Sequence, residues 1–376
     1  MLKVAVINEA NDFAALEEEW EELYRNSPLA TPFQSWAWLY SWWEYYGRGY
    51  ELRLVTIRDD GLLVGLMPLM LQRLAGFRRL LFIGTGPTDY QDVLVREGWG
   101  SPVSQAAVQA LRQLDDWRVA DLQQLRPEAA AWGIFEDWAG PRASIWQDNF
   151  PVVDVKPWDE LLMSVGRKLR NTARRTLRRA EEDGVQCELV SADDVGQAAR
   201  RLIDLHLEMF QGRDIAPEHQ TERFQSHVVA AASRLTVREQ GGIYEFWRDG
   251  EVIVSHLLLF GRSFVGEYMF GTTQEARQRF QVSSLNMWNL VNVARSKDST
   301  RAGQMRGDEN YKLPWASEVI PNYQAILGRR LAVWVPYSVY HALLARAKRY
   351  AQSGDAPQWT KKALSKYRVL RDKLTR

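Results

Sequence analysis

The sequence predicts an α/β (α+β) protein built from two similar halves, each a mixed, mainly antiparallel sheet flanked by helices, followed by a C-terminal helical extension. Three observations predict it. A β-rich run, an Asp-Gly pair and a second β-rich run occur twice, at 52–58, Asp60-Gly61 and 62–67, and at 243–248, Asp249-Gly250 and 251–259. Helical segments precede each copy, and another strand and helix follow each. The two turn glycines stand 189 positions apart in a chain of 376 residues.

Each element has a local reason. Asp-Gly supplies the positive-φ residues of a tight hairpin turn. In the first half, 13–24 is acidic and amphipathic, and Trp36, Trp38, Leu39, Trp42, Trp43 and Tyr46 recur at helical spacing. In the second half, 158–182 and 195–210 take that part. Third strands are expected at 91–95 and 263–270, with helices following at 103–114 and 283–295. The strand-like 144–146 gives way to Gln147-Asp148-Asn149, and 151–155 opens the next unit. The expected domains are therefore 1–150, 151–328 and a basic helical extension, 329–376.

Composition narrows the function. Cys187 is the one cysteine, which excludes a disulfide framework and a multi-Cys zinc site. His206, His219, His227, His256 and His341 show no metal-ligand spacing, so no metal is expected. The N-terminus lacks a signal-peptide pattern. The longest apolar run, 61–71, is interrupted by Pro68 and falls short of the roughly 20 residues that span a bilayer. A soluble, cytoplasmic protein is expected. Residues 346–376 carry ten Lys/Arg and two Asp, which leaves −7 on the rest of a chain of net charge +1. A basic tail on an acidic body suits an anionic partner, or is simply a solvated helix. Apolar and aromatic residues over 331–344 beside that cluster suit the surface of an anionic membrane, unless they pack on the body. DNA is not an expected partner.

Four motifs occur in order: Pro32-Phe33-Gln34-Ser35-Trp36-Ala37-Trp38-Leu39 with Trp42-Trp43; Phe82-Ile83-Gly84-Thr85-Gly86 with Asp89-Tyr90-Gln91-Asp92; the basic Gly166-Arg167-Lys168-Leu169-Arg170-Asn171-Thr172-Ala173-Arg174-Arg175; and Arg306-Gly307-Asp308-Glu309-Asn310-Tyr311-Lys312. Together, over about 10–320, they resemble the GNAT superfamily, and within it the CelD/BcsL-type (cellulose-biosynthesis) acetyltransferases, related to the Fem-type peptidyltransferases. The resemblance implies tandem GNAT-like halves and an acyl-CoA donor, acetyl-CoA above all, between two splayed strands. Its diphosphate would lie at the next helix N-terminus, where free N–H groups and the helix dipole attract phosphate. The matching stretch is Arg279, Gln281, Val282, Ser283 and Ser284, with both usual small positions altered.

Arg167, Lys168, Arg170 and Arg174 would wall a site for an anionic saccharide, a lipid-linked precursor or a CoA phosphate; otherwise they are a solvated helix face. Glu267, Asp308 and Glu309 are candidate general bases, or ordinary carboxylates. Tyr268 and Tyr311 could protonate a leaving thiolate, or merely pack. Lys312, in a Tyr-Lys pair that the family resemblance places near the transferred acyl group, would stabilise oxyanion charge, or is a solvated loop residue. His206 is a candidate substrate contact, or a satisfied groove histidine. Gly303 stands where the family pattern has Asp. The functions that follow are acyl transfer to an amine or hydroxyl of a polysaccharide or cell-envelope precursor, aminoacyl-tRNA-dependent peptidyl transfer, and a non-catalytic scaffold in polysaccharide synthesis.

Overall fold

The computed structural model describes residues 2–74, 76–210, 217–307 and 309–352. Asp308 and the basic segment beyond 352 lie outside the described residues. The strands are β1 (Lys3–Ile7), β2 (Tyr50–Asp59), β3 (Leu62–Leu74), β4 (Phe77–Phe82), β5 (Leu94–Val95), β6 (Val119–Leu125), β7 (Arg142–Asp154), β8 (Gln186–Leu189), β9 (Gly241–Arg248), β10 (Glu251–Phe260), β11 (Phe264–Thr272), β12 (Arg301–Gly303) and β13 (Glu318–Gly328). The helices are α1 (Ala10–Ala15), α2 (Glu17–Arg25), α3 (Trp36–Tyr46), α4 (Gly100–Gln113), α5 (Ala131–Asp137), α6 (Trp158–Ser164), α7 (Arg167–Glu182), α8 (Val195–Met209), α9 (Glu222–Val237), α10 (Gln274–Arg279), α11 (Val282–Ser296) and α12 (Leu331–Gln352).

The chain divides into two compact units, one of 1–29, 49–147 and 321–376, the other of 30–48 and 148–320. The first unit orders its strands β1-β2-β3-β4-β6-β13, with β5 on the side of β3. The second orders them β7-β12-β11-β10-β9-β8. Each unit has a single parallel pair among its described strands, β4 with β6 and β11 with β12. A helix-bearing crossover joins each parallel pair, as such a connection requires; α4 lies in one and α11 in the other. This is the mixed, GNAT-like α/β fold.

Both hairpins have the turn that Asp-Gly predicts. Asp60 and Gly61 have φ of 44° and 90°, and Asp249 and Gly250 have 52° and 81°. Two consecutive positive-φ residues make a type I′ turn, whose twist matches that of the strands it joins. Apolar residues of β2, β3, β4, α4 and α5 form the core of the first unit, including Val55, Met67, Phe82, Leu111 and Ile134. In the second unit, Leu258, Val265, Met287 and Leu290 pack with Trp315.

Three elements depart from expectation. The third strand of the first half is β4, while 91–95 yields only the short β5. Asp92 caps a helix instead: its carboxylate accepts from the N–H groups of Ala130 and Ala131 at the start of α5. Residues 142–154 form one strand through Phe150-Pro151, with no break at 147–149. The segment 158–182 is two helices, parted at Val165-Gly166, where the backbone is extended. The sequence reading also left out α9.

Candidate functional site

The site is built in the second unit, where β11 and β12 part. They pair at three positions, Phe264 with Arg301, Val265 with Ala302 and Gly266 with Gly303. Beyond Gly266 the rest of β11 continues without β12. Gly266 is required there: a Cβ would lie 2.0 Å from the Met305 Cε and 2.8 Å from the Phe264 ring.

A β-bulge then sets the face of Glu267. Leu257 pairs with Met269, but Leu258 pairs with Glu267, so Tyr268 is the extra residue. One inserted residue reverses the alternation of the strand. Glu267 thereby comes to the face of β10 that carries His256. Tyr268 packs edge-on against Phe33 and Trp38, at 5.9 and 4.9 Å between ring centroids.

Four buried side chains follow as one hydrogen-bonded chain. Asn289 Nδ2 lies 2.9 Å from His256 Nε2, His256 Nδ1 lies 2.9 Å from Glu267 Oε1, and Gln304 Nε2 donates to Glu267 Oε2 at 3.1 Å. The amide of Asn289 donates, so His256 Nε2 accepts and its proton sits on Nδ1, directed at Glu267; this tautomer follows from the network. Each carboxylate oxygen takes one N–H from this chain and has a second lone pair. Glu267, read from its strand position, is thus at the centre; His256, Asn289 and Gln304 were not anticipated as partners.

The loop after β12 folds over this region. Lys312 is buried, 5% exposed, and its Nζ donates to Arg306 O and pairs with Glu309 Oε2, both at 2.8 Å. It is therefore neither solvated nor directed at Glu267, but clasps its own loop. Tyr311 lies edge-on to Phe270, 6.2 Å between ring centroids. Although the residue is 38% exposed, the protein packed around its hydroxyl, with Glu309 and Glu267 adding to the effect, raises its phenol above the usual range.

His206 on α8 makes a separate contact. Its Nδ1 lies 2.7 Å from Phe270 O and its Nε2 lies 3.0 Å from His219 Nδ1. Burial lowers the affinity of His206 for a proton, and pushes His219 down to about 3, with His206 and Arg306 adding. Both rings are neutral near pH 7.

At the start of α11, Gln281 N–H donates to Thr176 Oγ1 of α7, and Ser284 N–H to Gln281 O. Ser284 Oγ donates to Gln281 Oε1. The first-turn amides of Val282 and Ser283 precede the intrahelical ladder. The Val282 side chain is buried among Phe280, Leu285 and Ala180. Arg279 does not face this turn as expected of a phosphate ligand; its guanidinium is bidentate to Asp183. Arg167, Lys168 and Arg174 lie on the exposed face of α7, while Arg170 is half-buried and its Nη1 lies 3.2 Å from Met163 Sδ. One turn before Asn289 on the same face, Asn286 is 1% exposed, and neither its Nδ2 nor its Oδ1 has a hydrogen-bond partner among the described residues. Such an amide fits a ligand that brings its own amides, as the pantetheine arm of CoA does.

Comparison with known proteins agrees with this geometry. Residues 167–313 match the model of an acetyltransferase (GNAT) domain. No curated protein sequence matches the chain. Among solved structures, the fold is similar to FemX, with a TM-score of 0.61 and 11% identity over 86% of this chain and 96% of that one. It is similar to L-PGS from Bacillus licheniformis, TM-score 0.54 and 12% identity over 88% and 95%. A protein of unknown function from Bacteroides thetaiotaomicron gives 0.55 and 11% identity over 87% and 100%. At such identities the likeness is one of fold. Among the described residues there is no cluster of potential metal ligands, and no helix is long and apolar enough to cross a membrane.

Proposed function

We propose that the chain is an N- or O-acyltransferase of the CelD/BcsL type, moving an acyl group, acetyl in the first instance, from acyl-CoA to an amine or hydroxyl of a polysaccharide or cell-envelope precursor. The strongest support is a buried carboxylate, Glu267, held by two donors at the mouth of a strand split. We place the donor site in the second half of a duplicated chain, 151–328, and the protein in the cytoplasm at the inner face of the membrane.

Bound acyl-CoA would supply an activated thioester carbonyl. Glu267 accepts the proton of the attacking amine or hydroxyl; His256 and Gln304 keep the carboxylate oriented. Tyr311, held protonated, donates to the leaving sulfur. Lys312 positions Tyr311 and Glu309 by fixing their loop. Val282 and Ser283 N–H groups take a phosphate at the start of α11, and Asn286 pairs with the amides of the arm. The basic residues of α7 receive an anionic acceptor or the remaining phosphate.

Calorimetric titration with acetyl-CoA tests this. Saturable binding that Asn286→Leu weakens is expected; an absence of binding at millimolar ligand would favour the non-catalytic scaffold. One observation favours a second reading, an aminoacyl-tRNA donor: the Gln281 and Ser284 N–H groups at the start of α11 are engaged within the protein, and so is Arg279, by Asp183. Transfer from a labelled aminoacyl-tRNA, with none from acetyl-CoA, would decide for it.

A further inference from the structure

The inner face of α12 is fixed by a buried polar cluster of the first unit. Asp121 is fully buried. Tyr337 Oη donates to its Oδ2 at 2.5 Å, Gln324 Nε2 to its Oδ1 at 2.6 Å, and Arg79 Nη1 to Tyr337 Oη at 2.7 Å. Gln324 Nε2 also lies 3.2 Å from His341 Nδ1. Trp334 Nε1 donates to Ile326 O, and Lys348 Nζ to Gln147 O. The inward residues 334, 337, 341, 345 and 348 recur at helical spacing, so the rotation of the helix is set.

The opposite face is then apolar and exposed. Leu331, Val335, Val339 and Leu343 follow one another at steps of four, and Leu343 is 59% exposed. Tyr340 and Tyr350 flank them, at 45% and 52%. Scattered exposed apolar residues need no explanation, but an aligned stripe on a helix fixed by buried hydrogen bonds does. Arg346 and Arg349 are exposed at the C-terminal end of the stripe, and the sequence beyond 352 adds seven Lys/Arg against two Asp.

We propose that this face of α12 lies on an anionic phospholipid bilayer, with the stripe in the headgroup–acyl boundary and Arg346 and Arg349 against the lipid phosphates. Charge selects this occupant. Arg346 and Arg349 border one end of the stripe, and the sequence that continues from α12 carries seven more Lys/Arg against two Asp, whereas a second copy of the same chain would bring the same positive charge. An in-plane helix of this kind joins an apolar face to cationic neighbours without spanning.

The experiment is co-sedimentation of the full chain with vesicles of phosphatidylcholine alone or with one-third phosphatidylglycerol, at low and high salt. Binding to the anionic vesicles is expected, weakened by salt. The double variant Val339→Glu and Leu343→Glu should lower partition about tenfold or more, with an unchanged circular-dichroism melt. Failure to bind anionic vesicles, or equal binding by the variant, overturns the proposal. A dimer in light scattering that the same variant dissociates, without vesicle binding, assigns the stripe to a second copy and overturns it too. The readout involves no turnover. Acetyl-CoA titration in lipid-free buffer reports separately on the acyl-transfer reading.

Discussion

Glu267→Gln keeps the volume of the side chain and removes its charge. The His256 and Asn289 amide–imidazole chain can reverse its donors to suit, so the variant should fold. Loss of a positioned general base typically costs 10²–10⁴ in rate, so turnover should fall by about a hundredfold or more while acetyl-CoA affinity is kept; turnover near wild type would remove Glu267 from the mechanism. His227 gives a pH prediction. Burial, with Arg234 adding, pushes its imidazole down from 6.5 to about 3. A histidine that holds its proton less well when folded contributes stability above its unfolded value, and loses it as the pH falls towards the folded one. From pH 7 to 5 this loss is about 2 kcal/mol. His227→Phe, packed against Trp38 as the imidazole is at 4.7 Å between ring centroids, should flatten that fall by a similar amount in urea melts at the two pH values. An unchanged slope would show that His227 does not titrate in this way. The strand position of Glu267 was legible in the sequence, from the hairpin before it, and its candidacy as a base came from the GNAT resemblance. Its partners were not: the bulge at Tyr268 reverses the strand parity, and Asn289 and Gln304 arrive from a helix and a loop more than 20 residues away.

Hairpins and amphipathic helices were the elements that local chemistry fixed. Asp-Gly turns, the aromatic spacing of 36–46 and the apolar face of 195–210 each need only near neighbours to be read. The elements misread were those that tertiary pairing decides. β4 carries Arg78 and Arg79, which interrupt its apolar pattern, yet it lies between β3 and β6. Its Arg79 is stabilised by Tyr337 and Asp121, which come from distant sequence. Asp92 was read within a motif and serves as a helix cap. The same polar cluster gives an element-scale prediction. Tyr337→Phe removes a donor to a fully buried carboxylate and an acceptor for Arg79, so stability should fall by about 1–3 kcal/mol, the usual cost of stranding a buried polar group. Thermal melts measure it, and a shift of less than a degree would mean that the Tyr337 hydroxyl does not help to hold α12.

At the scale of the molecule, sequence order and structural unit do not coincide. The second unit takes 30–48 and 148–150 from the N-terminal half, and the first takes 321–328 from the C-terminal half. These are not marginal segments. The β7 positions that pair with β12 are Val152, Val153 and Asp154, all within the C-terminal half. Residues 323–328 pair with β6, from Tyr323 opposite Leu125 to Gly328 opposite Val119. Helix α3 brings Ser41 and Glu44 to Arg234 of α9 and Trp38 to Tyr268 beside the catalytic candidate, where Phe33, just before the helix, also packs. A chain cut between Phe150 and Pro151 therefore divides the hydrogen-bonded sheet of the first unit and separates Tyr268 from its aromatic neighbours. Fragment 1–150 should lack the strand that covers β6, and 151–328 should lack α3, so neither should show a cooperative melt alone. Co-expression of 1–150 with 151–376 should restore folding to both units, because every segment is then present. Circular dichroism and amide-exchange protection of the separate and co-expressed fragments measure this. Cooperative unfolding of 151–328 by itself would show that the second unit does not need α3.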